Sequence, residues 1–265
     1  MAGDCTTIVV TCASGVMEIV LDRPDLLNSI NTAMRAELSR AFAQAETDRT
    51  IRCVLLTGNG RAFCAGQDLG ERKPLPDGQK YDLSLALEGE YNPLLRQITN
   101  LPKPVVCAVN GVAAGAGVSL ALAADITFAA RSARFVLSFA NIGLGPDCGA
   151  SWLLPRLIGP QRAAGFAMSG DPVSATQAEA WGMIWRCIPD EELIPSARSF
   201  ARQLAVKGPL ALAATKRALA ASWHNTFSAQ LDLERDSQQA LGYSDDYTEG
   251  VAAFRDKRMA RFGGR

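Results

Sequence analysis

Residues 105–125 read VVCAVNGVAAGAGVSLALAAD, and the rest of the chain can be placed around them. Residues 105–109 are apolar and rich in β-branched side chains, residues 110–117 are mostly Gly and Ala, and residues 118–124 are apolar on every side before Asp125 closes the run. That order predicts a buried strand, a tight loop and a buried helix. Gly111, Gly115 and Gly117 leave the loop little side-chain bulk, so a ligand could lie directly on backbone N–H groups. The helix that follows aims its unpaired first amides, and the positive end of its dipole, at the same place; this suits a negative oxygen. A strand and helix that merely pack closely need the same small residues, so the loop alone leaves both readings open. The nucleotide-binding spacing G-x-G-x-x-G is absent, because the glycines run G-x-x-x-G-x-G.

With 265 residues, 48% hydrophobic and 20% charged, the chain can bury one large core. Lys+Arg 27 against Asp+Glu 27 gives zero net charge, which argues against a general binder of nucleic acid or of membrane surfaces. No apolar run approaches the roughly 20 residues of a transmembrane helix, and residues 1–11 lack the basic start and hydrophobic stretch of a signal peptide. A cytoplasmic protein is expected. The seven cysteines are scattered and form no C-x-x-C pair, so neither a disulfide framework nor a zinc site is indicated. His224 is the only histidine and has no nucleophile motif near it; it reads as a surface or helix-end residue, and a histidine-based metal site is excluded.

Along the chain, residues 7–10 and 16–21 read as a hairpin across Ala13-Ser14-Gly15, and Met34, Leu38, Phe42 and Ala45 recur at helical spacing. Residues 53–56 are the next buried strand, which completes a βαβ unit with parallel pairing. After it comes a second small-residue loop, residues 61–69, in the same position relative to its strand as residues 110–117. Two such loops could each offer one N–H to a shared oxygen. Residues 71–79 read as a surface loop and residues 83–101 as a helix stopped before Pro102. Residues 126–129 and 133–137 continue the strand and helix rhythm. Asp147 then sits in NIGLGPDCGA, among Leu144, Pro146 and Cys148. Two readings fit it: a working carboxylate, or a turn aspartate capping a helix over residues 151–158. Ser174 to Gln177 forms a capping pattern, and residues 184–188 are the last strand. Beyond Pro189 only helices are expected, over residues 191–206, 209–221, 230–241 and 248–258.

Leu21-Asp22-Arg23-Pro24 with Leu27-Asn28, residues 63–69, residues 108–116, Ala123 to Asp125 and residues 143–149, in this order and spacing, resemble the crotonase, or enoyl-CoA hydratase/isomerase, superfamily over essentially the whole chain. The resemblance implies an α/β fold, a spiral of ββα repeats over residues 1–190, with an all-helical trimerisation region over residues 191–265. It implies an acyl-CoA substrate, coenzyme A being part of that substrate rather than a cofactor, and a homotrimer or hexamer. It places an oxyanion hole on the backbone N–H groups of Gln67 and Ala116, and contacts to the CoA portion at Leu26, Leu27, Ala65, Gly66, Asp68, Leu69 and Gly115. Phe254 and Lys257 match positions that close over CoA, in some members from the neighbouring subunit.

The departures from the family pattern narrow the activity. Hydratases of this superfamily hold two glutamates where this chain has Ser119 and Phe139. Without paired carboxylates to activate water and deliver a proton, hydration is not expected. The sequence from Gly143 through Arg156, together with Trp181 to Trp185 and Leu231 to Asp236, resembles the branch that isomerises the ring-epoxide of phenylacetyl-CoA, with Asp147 as the catalytic carboxylate. A plain Δ3,Δ2-enoyl-CoA isomerase, another acyl-CoA enzyme of the fold and a non-catalytic RNA-binding relative are the alternatives.

Overall fold

The computed structural model of the chain describes residues 5–72, 76 and 79–265. Strands β1 (Ile8–Ala13) and β2 (Val16–Leu21) pair antiparallel with Ala13 opposite Val16. Ser14 and Gly15 both take positive φ, 52° and 76°, which gives a two-residue turn whose twist matches that of the strands. Helix α1 (Thr32–Thr47) starts at Asn31, whose side chain accepts from the Met34 amide, and it buries Met34, Leu38, Phe42 and Ala45. The chain returns in β3 (Cys53–Gly58), parallel to β2 as the βαβ reading requires.

Three similar turns follow. In the first, β3 leads to β4 (Ala62–Cys64) and then to a helical run made of α2 (Ser84–Ala86), a π-helical turn (Leu87–Tyr91) and α3 (Asn92–Asn100). The second is β5 (Val105–Val109), β6 (Val112–Ala114) and α4 (Ala116–Leu122). The third is β7 (Ile126–Ala130), β8 (Arg134–Val136) and α5 (Ala150–Ile158). Then come α6 (Pro160–Ser169), β9 (Val173–Ser174), α7 (Ala175–Trp181) and β10 (Arg186–Ile188), with Ser174 capping α7 by accepting from the Gln177 amide. The first strand of each turn joins a six-stranded sheet ordered β1-β2-β3-β5-β7-β10, and the second joins a four-stranded sheet ordered β4-β6-β8-β9. This is the expected spiral of ββα repeats.

The small second strands change two expectations. Residues 61–69 and 110–117 are not loops throughout, because β4 and β6 pair in parallel within them, and α4 begins at Ala116 rather than Val118. Backbone this deeply buried must find hydrogen-bond partners, and a short ladder supplies them. The glycines divide between the two readings left open above. A Cβ on Gly111 would lie 2.2 Å from the Arg61 carbonyl oxygen and one on Gly117 2.3 Å from that of Cys64, so these two serve close packing. Of residues 71–79, residues 73–75 and 77–78 lie outside the described residues.

Past β10, α8 (Leu193–Ala205) lies across the large sheet and buries Leu193, Ala197, Ala201 and Ala205. Strand content thus ends at Ile188, while the packed core continues to Ala205. Helices α9 (Pro209–Ala221), α10 (Phe227–Gly242) and α11 (Asp245–Arg255) follow. The last starts earlier than its periodicity indicated, because Ser244 caps it by accepting from the Tyr247 amide. Among the described residues, no helix is long and apolar enough to cross a membrane.

Candidate active site

The two loops read as donors of N–H groups meet at one end of the small sheet. Gly66 follows β4 with φ 90°, and Gly115 joins β6 to α4 with φ 50° and ψ −121°, a conformation that glycine tolerates and other residues resist. An added Cβ on Gly66 would lie 2.8 Å from the Ala114 carbonyl oxygen and 3.5 Å from the Ala116 nitrogen. The turn after β4 and the start of α4 are therefore in contact. Around Gln67, Ile30 N–H donates to Gly66 O and Asp68 N–H to Ile30 O, while among the described residues no carbonyl takes the amide of Gln67 or of Ala116. Two uncommitted donors side by side are what an enolate or oxyanion needs.

They open into a cleft of ≈ 660 Å³, lined among others by Ala65, Gly66, Gln67, Leu69, Gly115, Ala116 and Asp147. Asp147 comes from the loop before α5. It is not the cap of that helix: the N-cap is Gly149, with no side-chain bond. Instead Asp147 Oδ1 is the one buried side-chain nitrogen or oxygen among the described residues without a hydrogen-bond partner. Burial raises the carboxyl above its ordinary range, against smaller opposing effects of the Cys148 thiol, its own backbone amide and the Arg72 charge. The other carboxylates on the cleft wall are occupied. Glu71 accepts from Thr32 N–H at 3.0 Å, and Asp82 accepts from Ser84 N–H at 2.9 Å. Neither hydratase position supplies a second acid: Phe139 is an apolar part of the wall, and Ser119 is fully buried in α4.

The remaining expected contacts lie outside the cleft lining of the single chain. Leu27 is tied to the donor loop, since Ala65 N–H donates to its carbonyl at 2.9 Å, and Leu26 beside it is half exposed. Asp68 turns away to Arg23 at 2.8 Å, which holds its carboxyl below the usual range and braces the loop. Phe254, 86% exposed near the end of α11, and Lys257 beyond that helix stand clear of the cleft.

Sequence reading missed the opposite wall, Tyr81, Leu83, Leu87 and Tyr91 with Arg35 and Arg72. The π-helical turn, in which Asn92 N–H donates to Leu87 O, shifts register where Leu87 and Tyr91 face the cleft. Pro93 was the available signal, because a proline inside a helix removes a donor and a local register shift absorbs the loss. Arg72 donates to Gln67 Oε1 at 2.9 Å, and buried Arg35 pairs with Glu90 and bonds the Tyr91 hydroxyl at 3.3 Å.

The family model for enoyl-CoA hydratase/isomerase matches residues 11–265. The chain belongs to the enoyl-CoA hydratase/isomerase family. Among family relatives, it is 53% identical over 251 residues to 1,2-epoxyphenylacetyl-CoA isomerase of Escherichia coli (strain K12), covering 95% of this chain and 96% of that protein. It is 45% identical over 259 residues to a probable enoyl-CoA hydratase of Rhodobacter capsulatus, covering 98% of each. Among solved structures, an enoyl-CoA hydratase from Bacillus anthracis superposes with a TM-score of 0.92 at 32% identity, covering 98% of this chain and 100% of that one.

Proposed function

We propose that this family member isomerises 2-(1,2-epoxy-1,2-dihydrophenyl)acetyl-CoA to its seven-membered oxepin form in aerobic phenylacetate breakdown, and also shifts Δ3 double bonds of enoyl-CoA thioesters to Δ2. The observation that carries the reading is a single carboxylate, Asp147, whose Oδ1 is buried without a hydrogen-bond partner in a cleft that also presents the amides of Gln67 and Ala116. A thioester acidifies its α-protons. Asp147 removes one, the two amides hold the developing enolate oxygen, and the carboxyl returns the proton further along the carbon skeleton. No atom is gained or lost, so one acid/base group suffices, whereas adding water calls for two. The aromatic and aliphatic wall of Tyr81, Leu83, Leu87, Tyr91 and Phe139 suits a ring-bearing acyl group.

The same reading makes the protein a cytoplasmic homotrimer or hexamer, with the exposed apolar side chains Trp223, Phe227, Leu231 and Phe254 of the helical region covered by neighbouring subunits. It assigns Phe254 and Lys257 to closing over CoA, and Leu26 and Leu27 to its pantetheine and nucleotide. Chromatography with mass detection on the epoxide thioester tests the activity. The expected product elutes apart from the substrate at unchanged mass; a product heavier by one water, or no product, refutes the isomerase reading.

A further inference from the structure

We propose that Ser119 is a positioning residue for Asp147, acting through the backbone of the loop that carries the carboxylate; the inference rests on the catalytic reading of Asp147 above. A serine inside a helix ordinarily turns its hydroxyl back to the carbonyl one turn earlier. Ser119, 0% exposed in α4, instead donates its hydroxyl to the Asp147 carbonyl oxygen at 3.2 Å. That oxygen already accepts the Ala150 amide at 3.0 Å, so the backbone does not need the serine for its own satisfaction.

What the serine adds is a tether. Across residues 143–149 the other hydrogen bonds among the described residues are local: Gly143 N–H to Ala140 O, Leu144 N–H to Phe139 O, and those closing the first turn of α5. Among the described residues, Ser119 supplies the one bond that reaches this loop from another element. Packing does not wedge its exposed side, since a Cβ on Gly143 or Gly145 would meet nothing within 4 Å. Directly after Asp147 the chain passes through two left-handed residues, Cys148 at φ 51° and Gly149 at φ 82°. For Cys148 that conformation is strained and persists only if its surroundings hold it. Asp147 Oδ1 has no partner, and the groups that do hydrogen-bond the carboxylate, the Cys148 thiol and its own backbone amide, belong to the same loop. Its aim therefore depends on the backbone, which Leu144 and Cys148 anchor by packing on the core and Ser119 fixes at Asp147 itself by a hydrogen bond.

The test is a double-mutant cycle of Ser119→Ala and Asp147→Asn, reading kcat, KM and the thermal unfolding midpoint for acyl-CoA isomerisation. Ser119→Ala is expected to lower kcat by about 10–100-fold with KM changed less than about twofold, since a shift near 1 Å in a reacting group costs about 10²-fold. In the Asp147→Asn background the same change should have almost no further effect on kcat, because the group being aimed is gone. Ser119→Thr, which keeps the hydroxyl, should recover much of the loss. Should the alanine variant not fold, Ser119→Cys keeps the volume with a far weaker donor and should show the same fall in kcat. Losses that multiply in the double variant overturn the inference and leave the catalytic reading standing, as does wild-type kcat in a folded Ser119→Ala. Wild-type turnover of Asp147→Asn overturns both.

Discussion

Replacing Gly66 by alanine tests the paired-amide arrangement at its tightest point. The new Cβ would lie 2.8 Å from the Ala114 carbonyl oxygen, a backbone atom of β6 that no side-chain rotation can move aside. It would also force a residue with a side chain to φ 90°, outside the region that L-residues adopt readily. The turn after β4 must then back away from the start of α4, which carries the Gln67 amide away from that of Ala116. Losing one oxyanion donor typically costs about 10²–10³ in kcat, or roughly 3–4 kcal/mol of barrier. The backbone strain should remove a further ~1–2 kcal/mol of folding stability. Steady-state turnover of the acyl-CoA substrate and a thermal melt on the same sample separate the two effects. Gly89→Ala serves as a control, because a Cβ there meets nothing within 4 Å and the residue is helical; it should keep wild-type kcat. A folded Gly66→Ala enzyme with wild-type kcat would refute the assignment of Gln67 and Ala116 as the oxyanion hole.

Water addition to crotonyl-CoA should run at trace rates at best, since Ser119 and Phe139 provide no second carboxylate; turnover like that of a dedicated hydratase contradicts this. Burial raises the Asp147 carboxyl, so its ionised form is disfavoured in the folded state. Stability from this group is therefore lost as pH rises from the unfolded value of about 3.9 through the folded one. Asp147→Asn should accordingly melt higher than wild type at pH 8 and show no such gain near pH 3, which melts at both pH values would check. The acid limb of kcat/KM should lie above that of an ordinary aspartate for the same reason, and it should vanish with Asp147→Asn. Light scattering at micromolar concentration should give a trimer or hexamer, and a monomer would remove any cross-subunit role for Phe254 and Lys257.

Much of this architecture is written in local pattern. Met34, Leu38, Phe42 and Ala45 mark α1, the β-branched run of residues 105–109 marks β5, and α9 occupies the span its composition indicated. The second strands escaped because three residues are too few for a period of two to register, and their pairing is between segments distant in sequence, as Ala62 with Val112 and Val112 with Arg134. The donor side of the cleft was legible in glycine spacing, since steric demands at Gly66 and Gly115 act on the residue itself. The opposite wall was not. Leu87 and Tyr91 read as ordinary helix residues until the π-helical turn aims them at the cleft, and Arg35 gives no local sign that its charge is buried against Glu90. Asp147 stood between two readings because the burial of its Oδ1 and that atom's lack of a partner arise from the folded cleft and leave no mark in the local sequence.

Turnover and ligand affinity of Asp147→Asn measure the central claim most directly. The substitution keeps size and removes the proposed base, while it leaves untouched the Gln67 and Ala116 amides proposed to hold the thioester. Isomerase kcat should fall by about 10²–10⁴-fold, the range for a positioned acid/base group, with acyl-CoA affinity little changed. Turnover near wild type in that variant would contradict the account.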